Sequence, residues 1–129
     1  MIVLDENILE SQRRLLRDRR IPARQIGYDI GRKGLKDKEI ITFLLGLQRI
    51  TFFTLDTDFY QRLLCHPRYC LVCLDVRKHE AAVFTRRFLR HPEFNSTARR
   101  LSKVVRASSV GISVWSLHAE REEDFNWAD

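Results

Sequence analysis

No stretch of the 129-residue chain approaches the roughly 18–20 apolar residues that cross a bilayer. The longest apolar run, Ile40-Ile41-Thr42-Phe43-Leu44-Leu45, has the length of a core segment. The opening residues Met1-Ile2-Val3-Leu4-Asp5 lack the basic and apolar regions of a secretory leader. A cytoplasmic protein with no membrane association is therefore expected. Cysteine is scarce and odd in number: Cys65, Cys70 and Cys73 lie within nine residues. That argues against a disulfide framework. Cys70-Leu71-Val72-Cys73 has a CxxC spacing, with Cys65 and His66 nearby. However, 70–76 reads as a buried strand, on which residues three apart face opposite ways, so buried free thiols are expected rather than zinc. His66, His79, His91 and His118 have no ligand spacing. There is no repeat, low-complexity tract or linker. One domain is expected over 1–119, followed by an acidic tail over 120–129 in which only Phe125 and Trp127 offer packing.

What the sequence has in excess is arginine. It carries 23 Lys and Arg against 17 Asp and Glu, a formal charge of +6, and 18 of the 23 are Arg. The charge is uneven. Residues 61–106 hold 11 basic and three acidic groups, whereas 107–129 hold one and five. Arginine suits bidentate phosphate contact and stacking on bases, so the basic middle segment points to a polyanion, a solvated helical face being the alternative.

The hydrophobic pattern predicts alternating strands and helices. Ile2-Val3-Leu4 reads as a first strand, and 8–20 as an amphipathic helix stopped by Pro22. Ala23 to Ile26 reads as a short strand and the glycine-bearing 27–35 as a loop. A helix over 37–48, a strand over 50–55, a short helix over 57–64 and a strand over 70–76 come next. A helix over 79–91 ends at Pro92, and a basic helix near 97–103 is capped by Asn95 or Ser96. Val104-Val105 and 110–117 close the pattern as strands. Such alternation implies an α/β fold with a mainly parallel central sheet and helices on both faces, a three-layer α/β/α arrangement.

In parallel sheets functional groups gather at the carboxyl ends of the strands. Asp5 and Glu6 follow the first strand, Asp56 and Asp58 the third, and Asp37 and Glu39 open the helix between. Asp75 lies near the end of the fourth. Taken singly, each acid reads as a helix cap. Three groups at one edge read as a site for a hard divalent cation, Mg²⁺ or Mn²⁺, because bare carboxylates at close quarters repel. Such an ion beside an arginine-rich surface points to phosphodiester hydrolysis.

Val3-Leu4-Asp5-Glu6-Asn7, Gly34-Leu35-Lys36-Asp37-Lys38-Glu39-Ile40 and Thr54-Leu55-Asp56-Thr57-Asp58-Phe59 resemble, in order and spacing, the signatures of the small PIN-like proteins. These are relatives of the PIN-domain ribonucleases, many of them toxins of toxin–antitoxin pairs. The resemblance covers residues 1–75; beyond them only the alternating pattern matches. It implies a PIN-like sheet flanked by helices and an acidic pocket for Mg²⁺ or Mn²⁺. Asp5, Asp37, Asp56 and Asp58 would be the catalytic metal-holding acids, with Glu39 an alternate to Asp37 and with Glu6 and Asn7 around them. Lys36 stands where the family has a small residue. The expected activity is cleavage of single-stranded RNA, with water activated by one or two ions and with Arg86, Arg87, Arg90, Arg99 and Arg100 tracking the backbone. A cognate antitoxin and a homodimer are the protein partners that the resemblance implies.

Two other readings use the same residues. A receiver-like phosphoacceptor domain would use Asp5 and Glu6 with Asp56, and needs a Lys ending the fifth strand; Lys103 precedes the apolar run instead. A catalytically silent PIN-like module would bind RNA or protein without cleavage.

Overall fold

The structure, a computed structural model, describes residues 1–128. It contains seven strands: β1 (Ile2–Leu4), β2 (Arg24–Gln25), β3 (Ile50–Thr54), β4 (Tyr69–Asp75), β5 (Lys103–Ser108), β6 (Gly111–Ser116) and β7 (Glu123–Phe125). Four helices join them: α1 (Glu10–Asp18), α2 (Asp37–Leu45), α3 (Ala81–Arg90) and α4 (Thr97–Arg100). All seven strands form one sheet in the order β2-β1-β3-β4-β5-β6-β7. The first five are mutually parallel, and β6 and β7 are added antiparallel. The chain is thus an α/β protein with a mostly parallel mixed sheet. Among the described residues no helix is long and apolar enough to cross a membrane.

The central strands β3 and β4 are buried along nearly their whole length because both of their faces are covered. Side chains alternate between two cores. Phe53, Cys70, Val72 and Leu74 join Leu16 of α1 and Phe84 and Phe88 of α3 on one face. Phe52, Tyr69, Leu71 and Cys73 join Ile40 and Leu44 of α2 on the other. Cys70 and Cys73 therefore enter opposite cores, as a spacing of three on a strand requires, and burial pushes both thiols up to about 12. Gln12 of α1 accepts a hydrogen bond from the Ala82 amide (2.9 Å) and ties α1 to the start of α3.

Several boundaries differ from the sequence pattern for local reasons. α1 stops at Asp18, before Pro22, in a Schellman turn. Arg20 has a left-handed φ of 60°, and the Arg20 and Ile21 amides donate to the Arg17 and Leu16 carbonyls. The expected helix over 57–64 is two separate 3-10 turns, 57–59 and 62–64. The basic helix expected to reach 103 is one turn capped by Ser96; the Ser102 amide then bonds the Tyr69 carbonyl, and sheet pairing takes over at Lys103. The largest difference lies in the segment expected as an acidic tail. Glu123–Phe125 pairs with β6, Phe125 opposite Ile112. The Trp127 indole donates to the Ser108 carbonyl (2.7 Å), and Phe125 packs edge-on to Phe94. Asp129, the last residue of that expected tail, lies outside the described residues.

Candidate functional site

After β1 the chain passes first to β2 on one side and then to β3 on the other. At such a reversal in a parallel sheet the carboxyl ends of the strands leave a crevice. Asp5 follows β1 directly, and Asp56 lies two residues past β3. The two strands are neighbours, Leu4 opposite Phe53, and the Asp5 amide bonds the Phe53 carbonyl (2.9 Å).

Asp5 is 6% exposed. A buried carboxylate needs hydrogen-bond donors. One oxygen accepts the Thr54 hydroxyl (2.6 Å) and the other the Glu6 amide (2.7 Å). The carboxyl pKa is nonetheless raised: burial disfavours the anion most, the two hydrogen bonds oppose this, and the charges of Asp56 and Asp37 add to the rise. Thr54 is the hub of the network. Besides donating to Asp5, its oxygen accepts the Asp56 amide (3.0 Å) and the Asn7 side-chain amide (3.3 Å). Asn7 in turn accepts the Leu55 amide (3.2 Å). The loop after β1 is held from below by Gln25, whose side chain donates to the carbonyls of Asp5 (3.1 Å) and Ile8 (2.7 Å).

The remaining acids differ in what occupies them. Asp37 opens α2, is exposed, and has its pKa raised by desolvation and by Asp56 and Asp58. Asp56 caps the following 3-10 turn by accepting the Asp58 amide (2.9 Å). Glu39 faces elsewhere: it accepts the amide of Lys36, the residue that precedes α2 (3.0 Å), and pairs with Arg32 (2.8 Å). Glu6 accepts the Gly34 amide (2.9 Å), fastening the 27–36 loop over the edge. Gly27, with φ of 87°, makes that approach possible, since a Cβ there would come within 3.3 Å of the Glu6 carboxylate and 3.1 Å of the Lys33 stem. Asp75 stands apart, beside Arg106 (3.5 Å).

The edge thus brings Asp5, Asp37, Asp56 and Asp58 into one another's electric field, and among the described residues none of the four has an ion-pair partner. Among the described residues no three His, Cys, Asp or Glu side chains are drawn into a ligand cluster for a cation. Chemically the edge offers carboxylate oxygens near one carboxyl whose charge the protein itself disfavours, without a ready-made ligand cluster among the described residues.

The expected phosphate-tracking arginines are placed differently. α3 starts beyond the carboxyl end of β4 and returns the chain toward the amino edge, so Arg86, Arg87 and Arg90 in its later turns lead away from the acids. Arg99 donates to the Pro92 carbonyl (3.1 Å). Arg100 is only 8% exposed; it donates to the Thr51 hydroxyl and the Phe94 carbonyl, both at 2.9 Å, and is a structural residue of the amino edge. The basic groups whose positions in the chain put them on carboxyl-edge loops are Lys33, Lys36 and Lys38 around the start of α2, and Arg77 and Lys78 just after β4. Gln25 escaped the sequence reading, and Thr54, though it opens the third signature, was given no role there. Thr54 had a signal, a polar residue closing the apolar run Ile50-Thr51-Phe52-Phe53 two places before Asp56.

Compared with known proteins, the chain matches no family model, no curated protein and no solved structure.

Proposed function

We propose that the carboxyl edge is a PIN-like hydrolytic centre that cleaves single-stranded RNA with the help of Mg²⁺ or Mn²⁺. The observation that carries this reading is Asp5: a buried carboxyl at the reversal point of the sheet, its pKa raised by burial and by Asp56 and Asp37, with no cationic side chain paired to it among the described residues. A protein retains such a destabilised charge where something else supplies the positive charge. The donor chemistry fits a hard divalent ion, and Asp5, Asp37, Asp56 and Asp58 are the residues that would hold it. Bound there, such an ion supplies an activated water and neutralises the charge that develops on the phosphodiester oxygens.

The chain's own residues supply position. The Thr54 hydroxyl and the Glu6 amide fix both oxygens of Asp5, so its carboxylate plane is set before any substrate arrives. Asn7 locks Thr54 to the backbone of Leu55 and so couples β1 to β3. Lys33, Lys36, Lys38, Arg77 and Lys78 take the role of backbone contacts in place of the α3 arginines, because they stand on the loops of the acidic edge. In this reading the protein acts in the cytoplasm. A toxin role, with an antitoxin covering the acidic edge, is its extension.

The same parallel order, 2-1-3-4-5, also carries receiver domains. That reading lacks its lysine: Lys103 is the first residue of β5, at the amino edge, and β5 ends in Ala107-Ser108. Phosphorylation of Asp56 by acetyl phosphate would restore it.

The deciding experiment is cleavage of a single-stranded RNA in Mn²⁺ by the wild type, Asp5→Asn and Asp56→Asn. Cleavage by the wild type with loss in both variants is expected. Equal cleavage by all three identifies a contaminant and ends the proposal.

A further inference from the structure

The last turn of α1 and the length of α3 line a cavity of about 520 Å³, within the range of small-ligand sites. Its floor is apolar: Leu16 and Ala82 are buried, while Leu15 (43% exposed) and Val83 (54% exposed) present apolar side chains to solvent. Its rim is cationic. Arg19 comes from α1's end, and Arg86 and Arg90 from α3. Among the described residues none of these three has a carboxylate partner. They are close enough that Arg90 foremost, with a smaller contribution from Arg19, lowers the pKa of Arg86. A third wall is flat. Trp127 closes the cleft, with the Arg87 guanidinium 4.5 Å above its ring and Phe84 tilted against it at 5.6 Å. This wall exists because β7 draws the end of the chain back onto the sheet and Trp127 anchors to the Ser108 carbonyl.

Guanidinium groups that repel one another around an apolar floor are relieved by an anion, and the planar fork of Arg favours the oxygens of a phosphate. The apolar floor and indole wall add a place for the part of the ligand that carries no charge. We propose that this cleft binds a phosphate ester carried on a planar apolar body, the chemistry shared by a free mononucleotide and by the 5′-phosphorylated end of an oligonucleotide. The site is separate from the carboxyl edge and does not depend on the nuclease reading.

The test is titration calorimetry on the full chain, in EDTA, with AMP, adenosine, and a short RNA bearing either a 5′-phosphate or a 5′-hydroxyl. AMP is expected to bind, and adenosine to bind roughly tenfold or more weakly, the loss that comes from removing charge-assisted hydrogen bonds. Tighter binding of the phosphorylated RNA than of AMP identifies an RNA end as the source of the phosphate; the reverse identifies a free nucleotide. Arg86→Glu with Arg90→Glu should abolish binding of AMP while leaving the melting temperature unchanged, and Arg19→Glu, on the other helix, should weaken it independently. Equal affinity for AMP and adenosine, no binding of any of the four ligands, or undiminished AMP binding in these variants overturns the proposal. So does tighter binding of a designed acidic amphipathic peptide than of AMP, which would make the cleft a protein-docking groove.

Discussion

Each edge of the parallel sheet holds one buried charge of opposite sign, Asp5 at the carboxyl edge and Arg100 at the amino edge, and the two are held differently. At the carboxyl edge stand Asp5, Asp37, Asp56 and Asp58; at the amino edge gather Arg17, Arg90 and the buried Arg100. Part of this polarity comes from backbone direction alone. Each crossover helix starts at the carboxyl edge, where the positive end of its dipole favours acids, and finishes at the amino edge, where the negative end favours cations. Asp37 and Glu39 in the first turn of α2, and Arg87 and Arg90 in the last turn of α3, fit that rule. Asp5 does not. It precedes α1 by five residues, is buried, and its neighbours raise its pKa. Arg100 is its counterpart at the other edge: also buried, but satisfied by neutral oxygens from Thr51 and Phe94. Both charges are hydrogen-bonded by neutral groups, so hydrogen bonding alone does not separate them; what does is that Asp5 stands among like charges, which a bound cation would relieve under the function proposed above.

The sharpest way to break that contrast is to neutralise each charge in turn. Asp5→Asn should reduce RNA cleavage by roughly three orders of magnitude, as expected when a group touching the reacting centre is lost, while leaving the fold intact. An initial-rate assay beside a thermal melt reads both. Arg100→Ala should do the opposite. It leaves the Phe94 carbonyl and the Thr51 hydroxyl without their donor and opens a cavity, a loss of about 3 kcal/mol in a urea melt. Cleavage per folded molecule should stay unchanged. A variant pair with these effects exchanged would make Asp5 the structural residue and Arg100 the functional one.

The carboxyl edge was legible in the sequence because its parts are local. Apolar runs ending in acids, 2–5 and 50–56, announce strands and the acids at their carboxyl ends, and the reversal of strand order then brings those ends together. The link between them was not legible: the Thr54 hydroxyl meets Asp5 across 49 positions, and no spacing rule signals such a contact. The placement of the basic run was not legible for a related reason. Counting charge locates arginines along the chain, not at an edge, so a run that looks like one basic surface divides into Arg100 in the core and Arg86 and Arg90 beside a cleft. The end of the chain was hidden most fully. Glu123 and Asp124 have no strand signal of their own, and it is pairing with β6, with Phe125 against Phe94, that recruits them.

Proton and metal titrations sharpen the comparison on a smaller scale. Asp5 has a raised pKa in the folded state, above its ordinary value of 3.8. Below that value the carboxyl is protonated in both folded and unfolded chains and costs nothing. As pH climbs through the raised folded value, the unfolded chain gives up its proton more readily, and stability is lost. The stability of the wild type minus that of Asp5→Asn should therefore fall as pH rises from about 4 toward neutrality. A difference that grows with pH would show a carboxylate already compensated within the fold. Mn²⁺ at about one hundred times its dissociation constant should return about 2.7 kcal/mol at neutral pH, and much less near pH 4, where the raised pKa of Asp5 and Asp37 makes protons compete with the ion. Arg100→Lys should leave that metal response unchanged.

The smallest expected effect separates two acids one helical step apart. Glu39→Gln keeps a side-chain oxygen for the Lys36 amide and loses only the exposed pair with Arg32, so stability should change by about 0.5 kcal/mol or less. Cleavage and metal response should not change at all, because Glu39 already spends both oxygens on α2's first turn and on Arg32. Asp37→Asn removes a carboxyl that stands in the field of Asp56 and Asp58, so its stability should hold or rise slightly as like-charge repulsion is relieved, while cleavage falls. The two variants measured side by side, by melt and by initial rate, assign the middle acid. If Glu39→Gln lost activity and Asp37→Asn did not, the first turn of α2 would have to rearrange when the cation binds, and the bond from the Lys36 amide that now holds Glu39 would be the one that opens.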